Sequence, residues 1–249
     1  MGQPAPALPY YRRDLALVHH LGFGFHADAC APGILAILHD VADSGVVLEL
    51  GCGSGLLTRH LVDAGHRVIA TDASSAMLEL AKLHATGAED FRLLTLPDEP
   101  VPAVDAIVSV GHVLNYLPDE GAIERALIAM AGALKPGGAV AFDLCDFEWG
   151  RARTDVPPLV RRSEDWVLMT EFETPVPERF VRRMTTFVRN PDGSWRRDDE
   201  VHDNVLVDVS RVPSLLGAHG VEASVSSSFG GEELPVGLMA VVGRRPLEG

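Results

Sequence analysis

Residues 46–55 read Val-Val-Leu-Glu-Leu-Gly-Cys-Gly-Ser-Gly, an apolar strand that leads directly into a glycine-dense turn. An amphipathic segment with Leu57 and Leu61 on its apolar side follows the turn. Glycines at a strand-to-helix turn let the backbone approach a ligand closely, and the helix N-terminus offers unpaired N–H groups. The next predicted strand, 67–71, leads into Asp72, and an acid there can accept hydrogen bonds from ribose hydroxyls. The pattern therefore predicts a site for an adenosine-containing cofactor.

The glycine spacing argues against a dinucleotide. In the G-x-G-x-x-G fingerprint the third glycine would stand at position 56, where this chain has Leu56. Glycine instead falls one residue early, at Gly55, and Glu49 precedes the first glycine by two residues. This E-x-G-x-G-x-G pattern resembles motif I of the class I S-adenosylmethionine-dependent methyltransferases.

The resemblance continues in order along the chain. It includes the strand end at Asp72, a strand that begins with an acid at 105–110, and a Leu-Lys-Pro-Gly-Gly run at 134–138. It covers roughly residues 46–145 and resumes near 208–244. The implied cofactor is S-adenosylmethionine, and the implied plan is that of small-molecule methyltransferases of natural-product type.

Alternating strands and helices predict the fold class. We expect an α/β protein with a Rossmann-like, seven-stranded, mostly parallel sheet and helices on both faces. After residue 145 the pattern changes to β-hairpins, with an Asn-Pro-Asp-Gly-Ser turn at 190–194. The expected domains are an N-terminal lid or arm (1–28), a cofactor-binding core (29–145 and 207–249) and an inserted antiparallel β cap (146–206). The expected helices are 29–41, 54–64, 74–86, 119–134 and 208–218, and the expected core strands are 46–50, 67–71, 90–96, 104–110, 139–145, 221–228 and 238–244.

The resemblance also implies which residues hold the cofactor. The motif I loop receives the methionine half, Asp72 holds the ribose, and neighbouring side chains flank the adenine. Related enzymes often place an Asp against the adenine amino group, whereas this chain has Thr95 in that region. The expected cofactor-binding residues are Tyr11, Glu49, Gly51, Cys52, Gly53, Asp72, Ala73, Met77, Thr95, Leu96, Val110 and Gly111.

The segment after the fourth strand is the candidate catalytic region, because ligands lie beyond the carboxyl ends of strands in open α/β sheets. His112 titrates near neutral pH and is the candidate general base. The alternative is that it packs against the cofactor or forms a hydrogen bond to the backbone. Asn115 and Tyr116 are candidate substrate-binding residues. Asp143 and Asp146 suggest a divalent metal only weakly, because their spacing does not match metal-dependent relatives, and we predict no metal.

Composition narrows the partners. The 249 residues carry a formal net charge of −14, which argues against a nucleic-acid partner. The three cysteines form no disulfide or zinc spacing, and no signal peptide or membrane span is evident, so a cytoplasmic location is expected. Residues 151–197 hold ten arginines against seven acidic residues. This balance indicates either an anionic substrate group under the cap or a solvated hairpin surface.

The predicted function is transfer of a methyl group from S-adenosylmethionine to an O or N atom of a small molecule by in-line displacement. The alternative is a protein of the same fold that binds the cofactor but catalyses cyclisation or decarboxylation, or only binds. A homodimer is a further expectation, because edge strands of the cap invite pairing.

Overall fold

The computed structural model describes residues 10–41 and 45–247, which form two β-sheets with flanking helices. The helices are α1 (Arg13–Gly22), α2 (Phe25–Leu38), α3 (Leu56–Asp63), α4 (Ser75–His84), α5 (Glu120–Ala133), α6 (Phe147–Arg151) and α7 (Val212–Ala218), with 3₁₀ turns at Val113–Tyr116 and Val209–Arg211. The strands are β1 (Val46–Leu50), β2 (Arg67–Asp72), β3 (Asp90–Leu93), β4 (Val104–Ser109), β5 (Leu134–Cys145), β6 (Leu159–Arg162), β7 (Trp166–Val176), β8 (Arg179–Arg189), β9 (Trp195–Val205), β10 (Glu222–Ser226) and β11 (Leu238–Arg244).

The larger sheet has seven strands in the order β10-β11-β5-β4-β1-β2-β3. Strands β1 to β5 pair in parallel, whereas β11 runs antiparallel to both β5 and β10. The strand order reverses between β1 and β4, and a crevice at such a reversal is where ligands bind in open α/β sheets. The predicted seven-stranded, mostly parallel, Rossmann-like sheet is confirmed.

The smaller sheet is antiparallel, in the order β6-β7-β8-β9. Its inner face packs on α1, through Leu15 and Val18 of the helix and Trp166, Leu168 and Met184 of the strands. The register places Arg182 of β8 opposite Phe172 of β7 and opposite His202 of β9. Side chains that alternate along these strands therefore share one face with α1.

Several element boundaries differ from the sequence predictions. Helix α2 begins at Phe25 rather than at 29, and β3 ends at Leu93 rather than at 96. Strand β5 begins at Leu134 rather than at 139, because Leu134 already pairs with Val104 of β4. The N–H of Gly137 also donates to the carbonyl of Arg245, just after β11. The helix predicted at 208–218 opens as a 3₁₀ turn before α7.

Residues 1–9 of the expected arm, together with 42–44 and 248–249 of the expected core, lie outside the described ranges. Within those ranges no single helix has both the length and the apolar character needed to cross a membrane. The bent pair α1 and α2 meets that test only when the two helices are taken together, by length and composition.

Candidate active site

The glycine loop after β1 adopts a conformation that favours glycine. Gly51 and Gly53 have φ values of +67° and +54°. A Cβ atom on Gly51 would lie 2.3 Å from Cγ2 of Val113, whereas a Cβ atom on Gly53 would have no atom within 4 Å. Gly111, in the loop after β4, also has a positive φ and equally open space. Gly53 and Gly111 thus present bare backbone to open space at the strand-order reversal, which fits a bound cofactor.

Asp72 reaches the glycine loop from the end of β2. Its Oδ2 accepts a hydrogen bond of 2.8 Å from the N–H of Gly53, and its Oδ1 accepts one of 2.8 Å from the N–H of Ser74. Burial raises the pKa of this carboxyl, and the backbone N–H groups oppose the rise. A carboxylate has about four acceptor sites, so Asp72 keeps capacity for ribose hydroxyls.

Glu49 is fully buried in β1, and its Oε2 accepts a hydrogen bond of 2.6 Å from the hydroxyl of Thr58 on α3. Burial raises the pKa of Glu49 to about 8. This contact fixes the strand against the helix that follows the glycine loop. The expected contact of Glu49 with the cofactor stays a prediction.

The chain before α1, and α1 itself, contact the loop after β2 and the glycine loop after β1, which together are called the cofactor loops. The hydroxyl of Ser74 donates a hydrogen bond of 2.8 Å to the carbonyl of Tyr11, which itself has a φ of 53°. On α1, Nδ1 of His20 lies 2.9 Å from the hydroxyl of Ser54 in the glycine loop. Tyr11 therefore lies beside the end of β2, where it is expected to meet the cofactor.

Asp143 organises the loop after β4. It is buried at the end of β5 and accepts hydrogen bonds from the N–H groups of Gly111 and His112, of 2.9 and 2.5 Å. Nε2 of His26 on α2 lies 3.0 Å from the same carboxylate. Sequence reasoning considered Asp143 only as a metal ligand with Asp146, but Asp146 caps α6 by accepting from backbone N–H groups. Both carboxylates are thus engaged with protein groups.

His112 has a φ of +50° and lies buried, stacked on Tyr116 with ring centroids 5.6 Å apart. Trp149 lies on its other side, at 5.4 Å between ring centroids. Burial and the positive charge of Arg182 lower the pKa of His112 well below 6.5, so its imidazole is neutral at pH 7. Its role as general base stays a prediction.

A hydrogen-bonded chain connects Tyr116 to the smaller sheet. The Tyr116 hydroxyl lies 3.2 Å from Nδ1 of His202, and Nε2 of His202 lies 2.9 Å from Oε2 of Glu200. The hydroxyl of Tyr11 lies 3.1 Å from that of Tyr116, and the guanidinium of Arg182 donates to the same Tyr116 oxygen. Sequence reasoning missed Glu200 and Arg182, although the Glu-x-His-x-Asn alternation at 200–204 was a usable signal.

Several buried polar atoms near this chain have no hydrogen-bond partner in the described structure. They include Nδ1 of His112, Nε1 of Trp149 and both side-chain polar atoms of Asn204. Buried polar groups are rarely left unpaired, and such groups often mark a ligand or water position. These unpaired atoms form one wall of the site, which therefore suits a ligand that carries hydrogen-bonding groups.

Asn115 does not have the arrangement expected of a substrate-binding residue. Its amide nitrogen donates to the carbonyls of Cys145 and Val205, and its carbonyl oxygen accepts from the N–H of Cys145. Both amide hydrogens and the carbonyl are therefore used in fastening the end of β5 to the end of β9. The hydroxyl of Tyr116, by contrast, contacts the side chains of Tyr11, His202 and Arg182.

The remaining expected cofactor residues are dispersed around these loops. Met77 and Cys52 are buried, the latter in the glycine turn, and Ala73 is exposed after β2. Thr95 is exposed after β3, and its N–H donates to the carboxylate of Glu99. Leu96 and Val110 are half-buried. Their contacts with the cofactor stay predictions.

A cavity of about 160 Å³, open to solvent, lies between α1 and the inner face of the smaller sheet. A cavity of this order can hold a ligand about the size of benzene. Tyr11 joins it to the cofactor loops. The lining residues are Tyr11, Leu15, His19, Phe23, Leu159, Arg161, Leu168, Thr170, Phe172, Arg182 and Met184.

Comparison with known families agrees with this geometry. Residues 47–138, which hold the glycine loop, Asp72 and the loop after β4, match the family model described as methyltransferase domain. The chain carries a methyltransferase domain. A ubiquinone biosynthesis O-methyltransferase of Idiomarina loihiensis is 37% identical to it over 102 residues. That match covers 39% of this chain and 40% of the relative, so the chain spans about two fifths of that protein's length.

Solved structures extend the likeness beyond the methyltransferase domain. An S-adenosylmethionine-dependent methyltransferase from Clostridium acetobutylicum superposes with a TM-score of 0.78 at 17% identity, covering 94% of this chain and 98% of that one. A sugar N-methyltransferase from Streptoalloteichus superposes with a TM-score of 0.77 at 18% identity, covering 100% and 99%. At these identities the structures establish a shared fold. The predicted Rossmann-like fold is confirmed by these structures, and residues 47–138 match the predicted methyltransferase domain.

Proposed function

We propose that the chain transfers the methyl group of S-adenosylmethionine to an oxygen or nitrogen atom of a small molecule by in-line displacement. One observation carries the proposal. The open glycine backbone of the cofactor loops and the wall of unpaired buried polar atoms meet at the loop after β4, where Gly111 and His112 are consecutive. Gly111 would face the cofactor, and His112 would face the acceptor.

The cofactor would be held by the expected residues. Gly51, Cys52 and Gly53 would receive its methionine half, Asp72 its ribose and Met77 its adenine. It supplies a methyl group already activated on a sulfonium centre. The chain therefore has to provide approach geometry and exclusion of water rather than activation.

The acceptor would lie against the 3₁₀ turn Val113–Tyr116 and the inner face of the smaller sheet. The cavity volume supports a small molecule rather than a polymer. The unpaired atoms of His112, Trp149 and Asn204 support a polar acceptor, because an apolar one would leave them unpaired. Relatives named for O-methylation and for sugar N-methylation leave both acceptor atoms open.

Two groups can take the acceptor proton. His112 is neutral and has an unpaired Nδ1, as a general base requires, although its lowered pKa makes it a weak base. Tyr116 can accept the proton while passing its own to Nδ1 of His202, whose other nitrogen faces Glu200. Burial lowers the pKa of His202 to about 4, and the neighbouring carboxylate of Glu200 favours the imidazolium that this step forms. The arrangement follows the logic of a hydroxyl–imidazole–carboxylate triad.

We further propose the division into an arm (1–28), a core (29–145 and 207–249) and an inserted cap (146–206). The contact between α1 and the smaller sheet supports a joint role for arm and cap in covering the acceptor. The homodimer stays a prediction. No observation favours a cyclisation, a decarboxylation or a purely binding role over methyl transfer.

Calorimetric titration with S-adenosylmethionine and S-adenosylhomocysteine tests the cofactor, on the wild type and on Asp72→Ala. We expect binding by the wild type and a loss of at least tenfold in the variant. Asp192→Ala, in the turn before β9, is the matched control and should bind as the wild type does. A well-folded wild type that binds neither compound would overturn the proposal.

Formation of S-adenosylhomocysteine with a panel of amino and hydroxy compounds then tests the reaction. Turnover of an acceptor with one molecule of S-adenosylhomocysteine formed per product is expected. Turnover without this by-product would favour cyclisation or decarboxylation instead.

A further inference from the structure

The cavity under α1 is lined by positive charge, although the chain as a whole is acidic. The sequence holds 35 acidic residues against 21 lysines and arginines, yet the cavity is lined by Arg161 and Arg182 and by no acidic side chain. Both arginines lie on the inner face of the smaller sheet, on β6 and β8. A concave site that collects one sign of charge raises the local concentration of the opposite sign.

Arg182 is the inner of the two arginines. It donates to the hydroxyl of Tyr116, while its Nε is buried and has no hydrogen-bond partner. Within residues 10–41 and 45–247 it forms no ion pair with a carboxylate. The nearby acid, Glu200, is occupied by Nε2 of His202 and by the N–H of Arg12 at 2.8 Å. A buried guanidinium without its own anion is costly, and an anionic ligand would remove that cost.

Two further groups on the cavity wall could also interact favourably with an anionic ligand. Nδ1 of His19 on α1 is buried and unpartnered. Arg161 donates to the carbonyl of Gly22 and lies over the rings of Phe23 and Phe25, but it has no carboxylate partner among the described residues. Donors therefore face the cavity from the helix and from two strands, and no acidic side chain lines it.

We propose that this cavity is a subsite for an oxyanion of the methyl acceptor, a carboxylate or a phosphoryl group held between Arg182 and Arg161. The planar guanidinium pairs with either group through two parallel hydrogen bonds. The apolar body of the acceptor packs on Leu15, Phe23 and Met184. That the ligand is the acceptor rests on the proposed methyl transfer, whereas binding of the oxyanion does not.

Calorimetric titration of the full chain tests the subsite with three probes of similar shape: phenyl phosphate, benzoate and the neutral benzyl alcohol. The variants are Arg182→Gln and Arg161→Gln. The control is Arg183→Gln, because Arg183 is next along β8 but is exposed and paired with Glu173. We expect an oxyanion probe to bind the wild type and Arg183→Gln at least tenfold more tightly than benzyl alcohol. Arg182→Gln and Arg161→Gln should each lose most of that difference.

Comparison of phenyl phosphate with benzoate identifies the oxyanion. A second measurement locates it. Burial and Arg182 lower the pKa of His19 to about 4, with further contributions from His202, His20 and His26. A bound anion in the cavity should raise that pKa toward 6.5, as followed by NMR titration of the imidazole.

Equal affinity for charged and neutral probes would overturn the subsite, as would wild-type affinity in a folded Arg161→Gln chain. Because Arg161 is exposed on a short edge strand, that variant keeps the test decisive if Arg182→Gln does not fold. Binding of S-adenosylhomocysteine is measured on the same samples. If it persists without oxyanion binding, the subsite fails and the methyltransferase proposal stands. If it is absent from the wild type, the methyltransferase proposal fails independently.

Discussion

The seven-stranded sheet contributes mainly backbone to the site, whereas the four-stranded sheet contributes side chains. On the larger sheet, the backbone at Gly53 and Gly111 faces open space, and it is held in place by Asp72 and Asp143, which accept hydrogen bonds from the two N–H groups. On the smaller sheet, Arg182 and His202 project from neighbouring strands. A backbone site tolerates sequence change wherever the loop keeps its conformation, while a side-chain site changes with each residue. Under the proposed function, the cofactor site would therefore depend mainly on loop conformation, and the acceptor site on individual side chains.

The strongest test of this comparison uses glycines. Gly51→Ala would bring a Cβ within 2.3 Å of Val113 at a φ of +67°, so we expect a loss of about 3 kcal/mol in the free energy of unfolding. Gly53→Ala has the same backbone penalty but open space, so it should lose only about 1 kcal/mol. Its added methyl group should nevertheless weaken S-adenosylhomocysteine at least ~10-fold. Thermal unfolding and calorimetry separate the two effects.

Gly193→Ala is the control from the turn between β8 and β9, where φ is +86° and the nearest atom to a Cβ lies 4.0 Å away. It should cost about 1 kcal/mol without affecting cofactor affinity. If Gly53→Ala binds the cofactor normally, the backbone of the glycine loop is not part of the cofactor site.

The same contrast explains what the sequence could predict. The glycine loop and the strand end at Asp72 are local patterns, so the seven-stranded sheet could be predicted from the sequence, and the cofactor-binding residues could be proposed from it. Arg182 and His202 meet only through the register of β8 and β9, which no local pattern states. Strand β9 also buries polar side chains, Glu200 among them, where alternation normally predicts an apolar face.

Asn115 is the reverse case. Its position after β4 suggested a substrate contact, but its amide is used by backbone groups of β5 and β9. Those partners lie 30 and 90 residues away along the chain. The local sequence therefore does not show that the Asn115 amide is already used in these hydrogen bonds. Asp143 was undervalued for the same reason, since its partners lie in two other elements.

The proton acceptor can be assigned to one sheet or the other by substitution. If Tyr116 passes its proton to His202, Tyr116→Phe should lower kcat about 100-fold and leave the affinity for S-adenosylhomocysteine within about twofold. His202→Gln should lower kcat similarly, whereas His112→Gln should cost less than about tenfold. Steady-state kinetics with an acceptor identified by screening provide the measurement, with Asp192→Ala, in the turn before β9, as control. A larger loss in His112→Gln would instead assign the base to the loop of the larger sheet.

Alkaline pH should lower the free energy of unfolding by weakening the contact between His26 on α2 and Asp143 on β5. Burial opposes the charged form of His26, but hydrogen bonds to Asp143 and Cys30 and the charge of Asp143 outweigh it and raise the pKa of His26 to about 10. Since this exceeds the unfolded value near 6.5, its stabilisation is complete below pH 6.5 and is lost as pH rises to 10. We expect a loss of about 2 kcal/mol over that window from this group.

Glu49 acts in the same direction, because burial raises its pKa to about 8 from an unfolded value near 4.5. Its stabilisation is therefore largely gone above pH 8. From pH 8.5 to 10 the buried thiols of Cys52 and Cys145, whose pKa values burial also raises, act in the same direction, so His26 is isolated by comparison with a variant that lacks it. Denaturant unfolding of the wild type and His26→Gln measures the difference. Parallel pH dependence of the two chains in that interval would show that His26 and Asp143 do not form a charged pair.

The smallest expected effect concerns the joint between arm and core. Ser74 caps α4 by accepting from the N–H of Met77, and it also donates to the carbonyl of Tyr11. Asp119 caps α5 by accepting from the N–H of Ala122. Ser74→Ala and Asp119→Ala should each cost about 1 kcal/mol of stability. Only Ser74→Ala should also weaken S-adenosylhomocysteine, by about threefold, because only its cap fixes Tyr11 beside Asp72. Equal affinities in the two variants would mean that the arm adds stability to the larger sheet without shaping its cofactor site.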